Sequence, residues 1–502
     1  MRRKILSWLQ TVIIVTVLIL LSQARLVAAP LEFHLRFDES VSAKPFSGRV
    51  YVLMSKKKVT TLPNGPRWFK TEPFFALDVK DWQPGQVKVI DAKALGFPHK
   101  LDEVPEGTYW IFAVMDINGQ NRSIVRADGN AYSQPVAVEI DQENTGEVSF
   151  LLNKVYRSKA PKETERVRFP EMESKLLSEF RKSPVFMKAG VVLPKSYKNS
   201  PNKRYPTLYI IPGFGGSATG AFSVSSGNRT DLNGTEVICV VLDPNCRWGH
   251  CVFADSENNG PWGQALTEEF IPYLEKTYRM IARPEARLLT GHSSGGWSSL
   301  WLQVTYPDFF GGTWSTAPDP VDFRDFQLVN IYKPNNNIFR DAKGKTRPLA
   351  RKKGKVLLTY KTFSDMEYVM GHGGQLRSFE AVFGPKGPDG EPALLWNRDN
   401  GSIDLSVAKT WERYDIRLIL ERNWKTLGPK LQGKLHVYMG AEDNFYLDGA
   451  VRYLKRSLTQ LGSDAVVEIF PGRDHGTLMQ KDLRGRIRKE MAEQLQPIVA
   501  AD

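Results

Sequence analysis

The run Gly291-His292-Ser293-Ser294-Gly295-Gly296 constrains how this chain can fold more than any other feature. Arg287-Leu288-Leu289-Thr290 before it has strand character, and Trp297 to Thr305 after it has helical spacing. A strand that turns at once into a helix leaves no room for side chains flanking the turn, and G-x-S-x-G meets that demand with glycines. Only Ser293 has glycine at both −2 and +2 with the strand ending at Gly291. In that register its Oγ stands clear of the sheet's end, at a helix N-terminus that favours developing negative charge.

The rhythm around this turn extends the constraint. Thr207 to Gly213 and Val237 to Leu242 read as buried strands, and Gly263 to Tyr278 has Leu266, Phe270, Tyr273 and Leu274 on one helical face. Lys434 to Gly440 and Val466 to Phe470 are later strands, separated by a helix around Leu447 to Leu461. Strands alternating with helices predict an α/β domain over 184–502, with a mainly parallel sheet covered on both faces. Between about 319 and 432 the alternation is lost, and an insertion over the active edge of the sheet is expected. Upstream, Leu31 to Lys154 has period-two patterning broken by Pro63-Asn64-Gly65-Pro66, Pro84-Gly85 and Asp116-Ile117-Asn118-Gly119. This predicts an Ig-like β-sandwich over 31–154. The segment carries no catalytic constellation, so it is expected to take no part in the chemical step. The charged residues 155–183 read as a linker.

Length and composition agree. Five hundred and two residues suit two domains, and 41% hydrophobic with 25% charged residues excludes a mainly disordered, collagen-like or polytopic membrane chain. The net charge is +13, of which Arg2, Arg3, Lys4 and Arg25 supply four, leaving 13 − 4 = +9 beyond residue 29. Basic runs such as Arg351 to Lys355 are short and scattered, so a solvated surface is expected rather than a nucleic-acid partner. The first 29 residues read as a signal peptide: Met1-Arg2-Arg3-Lys4, an apolar run from Thr11 to Leu21, and small residues at Val27-Ala28-Ala29. Pro30 suits the cleavage point poorly, which leaves a nearby cut open. The apolar run falls short of the roughly 20 residues that span a bilayer. Export to the periplasm or outside, with no membrane span retained, is the expectation; an uncleaved anchor is the alternative. Cys239 reads as a buried small residue, whereas Cys246 and Cys251 could close a disulfide after export. Their spacing gives no zinc pattern.

A serine needs a base to act as nucleophile. Among seven histidines, His475 immediately follows the last strand, where α/β folds build their sites, while His250 and His372 are reserve candidates in loops. Asp443, after the preceding strand, is the candidate to orient the imidazole; Glu442 is its open alternative, and Asp474 is too close to His475. The order Ser293, Asp443, His475 is that of the α/β-hydrolase fold. An oxyanion hole needs two backbone N–H groups. Ser294 would give one, and Phe214, or Gly215 beside it, the other from the glycine-rich Pro212 to Gly216. No G-x-x-x-x-G-K-[ST] or G-x-G-x-x-G accompanies that loop to make it a phosphate cradle.

Tyr205 to Gly216, Gly291 to Gly296, Gly440 to Asp443 and Asp474-His475-Gly476 together resemble the putative esterase family, which includes esterase D, feruloyl, acetyl xylan and enterochelin esterases and the mycolyltransferases. The resemblance runs from about Phe186 to Leu495. It implies an α/β-hydrolase fold, carboxylic-ester hydrolysis without a metal or other cofactor, and Ser293, Asp443 and His475 as the triad. Many members carry His-Gly where this chain has Pro212-Gly213. The expected function is an exported serine esterase acting through an acyl-enzyme, with an acylated carbohydrate or other polar ester as substrate. An acyltransferase, a peptidase and an inactive binding protein of the same fold are the alternatives.

Overall fold

The computed structural model describes residues 30–141 and 146–499. The expected signal peptide, 1–29, lies outside them. The described residues up to Leu62, with Thr71–Ile117 and Asn130–Val155, form one compact unit; Pro63–Lys70, Asn118–Gly129 and the residues from Tyr156 onward form the other.

The first unit is built from β1 (Glu32–Phe37), β2 (Phe46–Ser55), β3 (Phe74–Trp82), β4 (Lys88–Ile90), β5 (Leu95–Phe97), β6 (Gly107–Met115), β7 (Ala131–Ser133), β8 (Val136–Ile140) and β9 (Glu147–Val155). Alternating side chains turn one face of these strands inward, where Phe33, Phe37, Trp82, Tyr109 and Phe150 share a core. The hydrogen bonding is continuous in the order β4-β1-β9-β7-β6-β2-β3-β5, with β8 beside β6, and the path folds over so that β1 faces β3 across the core, Phe33 6.1 Å from Phe75 and Phe37 4.7 Å from Trp82 between ring centres. The strand β7, which pairs with both β6 and β9, joins the two layers at one edge.

In the second unit β10 (Val167–Arg168) and β11 (Glu171–Glu173), followed by the helix α1 (Lys175–Arg181), lie in the stretch read as a linker. Both strands pair with β12 (Phe186–Val192), which corrects that reading. Two- and three-residue strands are too short to carry a period-two signal. The main sheet continues through β13 (Thr207–Ile211), β14 (Ile238–Leu242), β15 (Arg287–His292), β16 (Gly312–Thr316), β17 (Leu435–Gly440) and β18 (Val466–Phe470), in the order β10-β12-β14-β13-β15-β16-β17-β18. The sheet is mixed: β14 through β18 pair in parallel, whereas β12 runs antiparallel to β14. The central strand Ile238 to Leu242 is an uninterrupted apolar run, all buried, as a strand covered on both faces must be. The longer helices of the unit include α2 (Ser294–Thr305), α3 (Tyr360–Met370), α4 (Gln375–Phe383), α5 (Ile416–Leu431), α6 (Asp448–Gln460) and α7 (Lys481–Val499). Of these, α3, α4 and α5 fall between β16 and β17, within the stretch where the sequence loses its alternation. Among the described residues no helix is long and apolar enough to cross a membrane.

Candidate active site

Ser293 sits between the end of β15 and the start of α2, with φ 61° and ψ −127°. A residue with a Cβ adopts such a backbone at a cost of about 1–3 kcal/mol, so the surroundings must enforce it. They do so through hydrogen bonds: Ser293 N–H donates to the Thr316 carbonyl at 3.0 Å, and its own carbonyl accepts from Trp297 N–H at 3.0 Å and Asp319 N–H at 3.3 Å. A side chain at Gly291 would collide with the Gly295 carbonyl, and one at Gly295 with the Ile211 carbonyl. These contacts explain why the motif carries glycine at both positions.

The loops after β17 and β18 are laced together. Ala441 N–H donates to the Phe470 carbonyl at 2.9 Å and Glu442 N–H to the Arg473 carbonyl at 3.0 Å. This brings Asp443 against His475, whose Nδ1 donates to Asp443 Oδ2 at 2.7 Å. The other carboxylate oxygen accepts from Phe445 N–H at 2.8 Å and Leu447 N–H at 3.4 Å, so the fully buried Asp443 is held from both sides. Glu442 is exposed, and Asp474 turns back on Thr477. Burial opposes a charge on His475, but the hydrogen bond and charge of Asp443, reinforced by Asp319 and Asp474, hold its pKa above the ordinary imidazole value. With Nδ1 committed to Asp443, Nε2 is the nitrogen left for chemistry.

Ser293 and His475 line one cavity of about 290 Å³, together with Gly213, Phe214, His292 and Asp319. The Ser293 hydroxyl donates to Asp319 Oδ1 at 3.4 Å rather than to His475. Asp319 also takes the Ser294 hydroxyl at 2.6 Å and the Gln375 amide at 3.2 Å. Burial pushes its carboxyl up to about 6. His292 stands with its ring centre 4.5 Å from that of His475, and burial followed by that neighbour lowers it to about 4, leaving it neutral.

The candidate oxyanion donors, Phe214 and Ser294, lie in the turn after β13 and at the start of α2. Gly216 N–H donates to the Gly213 carbonyl at 2.9 Å and closes a tight turn, with Gly215 at φ +88° in the third place, where such a turn calls for glycine. Among the described residues no protein acceptor takes the N–H of Phe214 or of Ser294, the first residue of α2.

Other expectations are corrected. His250 is buried, with Nε2 donating to the Pro212 carbonyl and Nδ1 accepting from Val252 N–H, both at 3.0 Å. Burial lowers it to about 4, and it braces the end of β13 instead of meeting substrate. His372 is likewise buried, its Nδ1 3.1 Å from the Arg247 carbonyl. Cys246 and Cys251 are free, buried thiols instead of a disulfide. Cys246 pairs with Gly249 across a hairpin while Cys251 N–H bonds to the Pro244 carbonyl, so the two stand diagonally with the Asn245–His250 rung between them. Diagonal neighbours stand about 7–8 Å apart, beyond the roughly 3.5–4.5 Å between the Cβ atoms of a bridge.

Asp319, Gln375 and Trp68 were not legible as site residues. Asp319 follows the end of β16 by three positions, which is a usable signal for a site carboxylate. Trp68 lies in Pro63–Lys70, which with Asn118–Gly129 belongs to the same compact unit as Ser293. Residues 31–154 were expected to take no part in the chemical step; one residue of that stretch, Trp68, nonetheless lines the cavity. Among the described residues no group of three or more His, Cys, Asp or Glu is arranged to hold a metal.

Residues 185–448, more than half of the chain, match the family described as Putative esterase. Esterase Rv1288 of Mycobacterium tuberculosis is 28% identical over 142 residues, covering 28% of this chain and 31% of that protein. The match thus spans under a third of this curated relative's length. Among solved structures, a ferulic acid esterase is similar at 16% identity and a TM-score of 0.43, covering 66% of this chain and 98% of that one. An S-formylglutathione hydrolase from Agrobacterium tumefaciens is similar at 14% identity and a TM-score of 0.40, covering 66% and 95%.

Proposed function

The chain belongs to the Putative esterase family of α/β-hydrolases, and from that premise we propose that it is an exported serine esterase that hydrolyses carboxylic esters through an acyl-enzyme. The observation that carries the reading is Ser293 at a strained strand-to-helix turn, sharing one cavity with His475, whose Nδ1 is held by the buried Asp443 at 2.7 Å.

Each group then has a task. On substrate binding the Ser293 hydroxyl exchanges its hydrogen bond with Asp319 for one to His475 Nε2. Ser293 Oγ attacks the ester carbonyl carbon as His475 takes its proton, and the imidazolium is stabilised by Asp443. The carbonyl oxygen becomes an oxyanion that accepts from the N–H groups of Phe214 and Ser294. Collapse breaks the bond to the alcohol oxygen, which leaves with the proton from His475. Water then attacks the acyl-enzyme with His475 again as base, releasing the acid and restoring Ser293. Neutral His292 beside His475 adds no charge that would compete with the imidazolium.

The test is covalent labelling by a fluorophosphonate together with a hydrolysis screen of acetyl, feruloyl and longer acyl esters. Labelling and turnover that both vanish in Ser293→Ala support the reading. A parent inert toward every ester and unlabelled refutes it. Export rests on residues 1–29 and is tested by fractionating cells that express the full chain; retention in the cytosol would refute it.

A further inference from the structure

Trp68 lies far upstream of the nucleophile, yet its half-buried indole lines the cavity that holds Ser293 and His475. It packs on three aromatic rings from three different places. Phe214, 5.5 Å away between ring centres, belongs to the oxyanion turn. Phe363, edge-on at 5.0 Å, comes from α3 of the insertion. Phe445, edge-on at 6.3 Å, comes from the loop that carries Asp443 and itself stands edge-on to His475 at 5.1 Å. Edge-to-face and tilted pairs at these separations are favourable, so the indole is gripped on several sides.

The backbone under Trp68 is also anchored. The Asn64 carbonyl accepts from the Ser123 hydroxyl at 2.9 Å, and Asn64 Oδ1 accepts from Arg126 Nη1 at 3.0 Å. From the same second stretch, Arg122 donates to the Gly215 carbonyl at 3.0 Å and to Asn245 Oδ1 at 2.7 Å. Pro63–Lys70 is thus tied, through Asn118–Gly129, to the turn that carries Phe214. The cavity is about 290 Å³, at the small end for a ligand site, and Phe379, Phe445 and Leu447 continue its apolar lining beside Trp68.

We propose that Trp68 is a specificity-determining residue: it closes the apolar end of the cavity and limits the ester group accepted beside Ser293 to a compact, apolar one. This inference rests on the esterase reading. An indole packed against Phe214, Phe363 and Phe445 resists displacement, so longer or branched groups meet it by overlap.

The test uses the full chain and compares the parent with Trp68→Ala and Trp68→Phe. One ester series lengthens the acyl group from acetate to octanoate on p-nitrophenol; a second enlarges the alcohol of an acetate. Fluorophosphonate labelling of Ser293 and thermal melting are followed in parallel. Trp68→Ala is expected to raise kcat/KM for large over small esters by about tenfold or more in one series, since each methylene in such a pocket is worth about tenfold or beyond. Trp68→Phe should fall between it and the parent. If Trp68→Ala does not fold, Trp68→Leu and Trp68→Phe must shift the profile in order of ring volume lost. A labelled variant with an unchanged profile in both series overturns the proposal, as does an equal loss on every ester. A parent that neither labels nor hydrolyses any ester overturns the esterase reading itself, and this inference falls with it.

Discussion

The Ser293 hydroxyl donates to Asp319 Oδ1 at 3.4 Å, so a carboxylate outside the proposed Ser293–His475–Asp443 triad holds the side chain proposed as nucleophile. Asp319 is buried, and that burial raises it to about 6. It is therefore largely ionised at neutral pH, where its charge helps hold the pKa of His475 up.

Asp319→Asn is expected to shift the acid limb of kcat/KM to lower pH. His475 must be neutral to accept a proton, so its raised pKa places the limb above the ordinary imidazole value, and removing a negative neighbour lowers it. The stability sign runs the other way. A carboxyl raised in the folded state favours folding below its unfolded pKa, and that contribution is lost as pH rises through about 6. The melting temperature of Asp319→Asn should accordingly gain on the parent between pH 5 and pH 8. An unmoved kinetic limb would show that Asp319 does not act on His475.

Ser293→Ala and Ser294→Ala should separate sharply. Ser293→Ala is expected to lower kcat by about 10³–10⁶ and abolish labelling, with His475→Ala costing about as much because the two act as a unit. Asp443→Asn should be less complete, at about 10³–10⁴. Ser294→Ala keeps its backbone N–H and loses only its hydroxyl, which donates to Asp319 at 2.6 Å and accepts from the Gln375 amide at 3.2 Å, so it should cost about tenfold or less. Rates and labelling of the four variants check this; a dead Ser294→Ala beside a live Ser293→Ala would reverse the register.

Arg122 grips the Gly215 carbonyl at 3.0 Å and Asn245 Oδ1 at 2.7 Å, while the Asn245 amide holds the Gly216 carbonyl at 3.1 Å. Arg122→Ala should therefore loosen the turn that aims Phe214 N–H. An oxyanion donor is worth about 10²–10³ in kcat, so a displaced one should cost about tenfold or more in kcat with KM little changed. Arg122→Lys, which keeps a donor but loses the fork, should recover part of it. A change confined to KM would argue against this positioning role.

The thiols give a prediction independent of catalysis. Cys239, Cys246 and Cys251 are buried and free, and burial pushes Cys239 to about 12 and Cys246 to about 11. A thiol reagent should react slowly with the native protein and titrate three thiols per chain once it is denatured. One thiol per chain in denaturant would mean that Cys246 and Cys251 had bridged after all.

Much of this was written in local sequence because it rests on local causes. Gly107 to Met115, Val136 to Ile140 and Val466 to Phe470 announce themselves by side-chain pattern and form strands with those bounds. The turn at Ser293 is equally legible, since glycine at 291 and 295 answers contacts made by neighbouring backbone. Asp443 and His475 could be nominated because each follows a strand end, although only the lacing of their loops decides between Asp443 and Glu442: the first is enclosed against the imidazole and the second exposed.

What tertiary structure alone decided is who meets whom across the chain. Asp319 reads as an ordinary acid at the start of an insertion until the end of β16 sets it beside Ser293. His250 reads as a loop histidine until folding buries it under the Pro212 carbonyl. Cys246 and Cys251 are five apart in sequence, but the hairpin register sets them on diagonal rungs. Trp68 and Arg122 belong to a stretch whose period-two pattern speaks only of strands, yet both pack against the turn that carries Phe214. Periodicity reports which face of an element is buried, because burial is a property each residue carries along its own chain. Contacts between residues far apart in sequence depend on where whole elements come to rest, and no window of sequence encodes that.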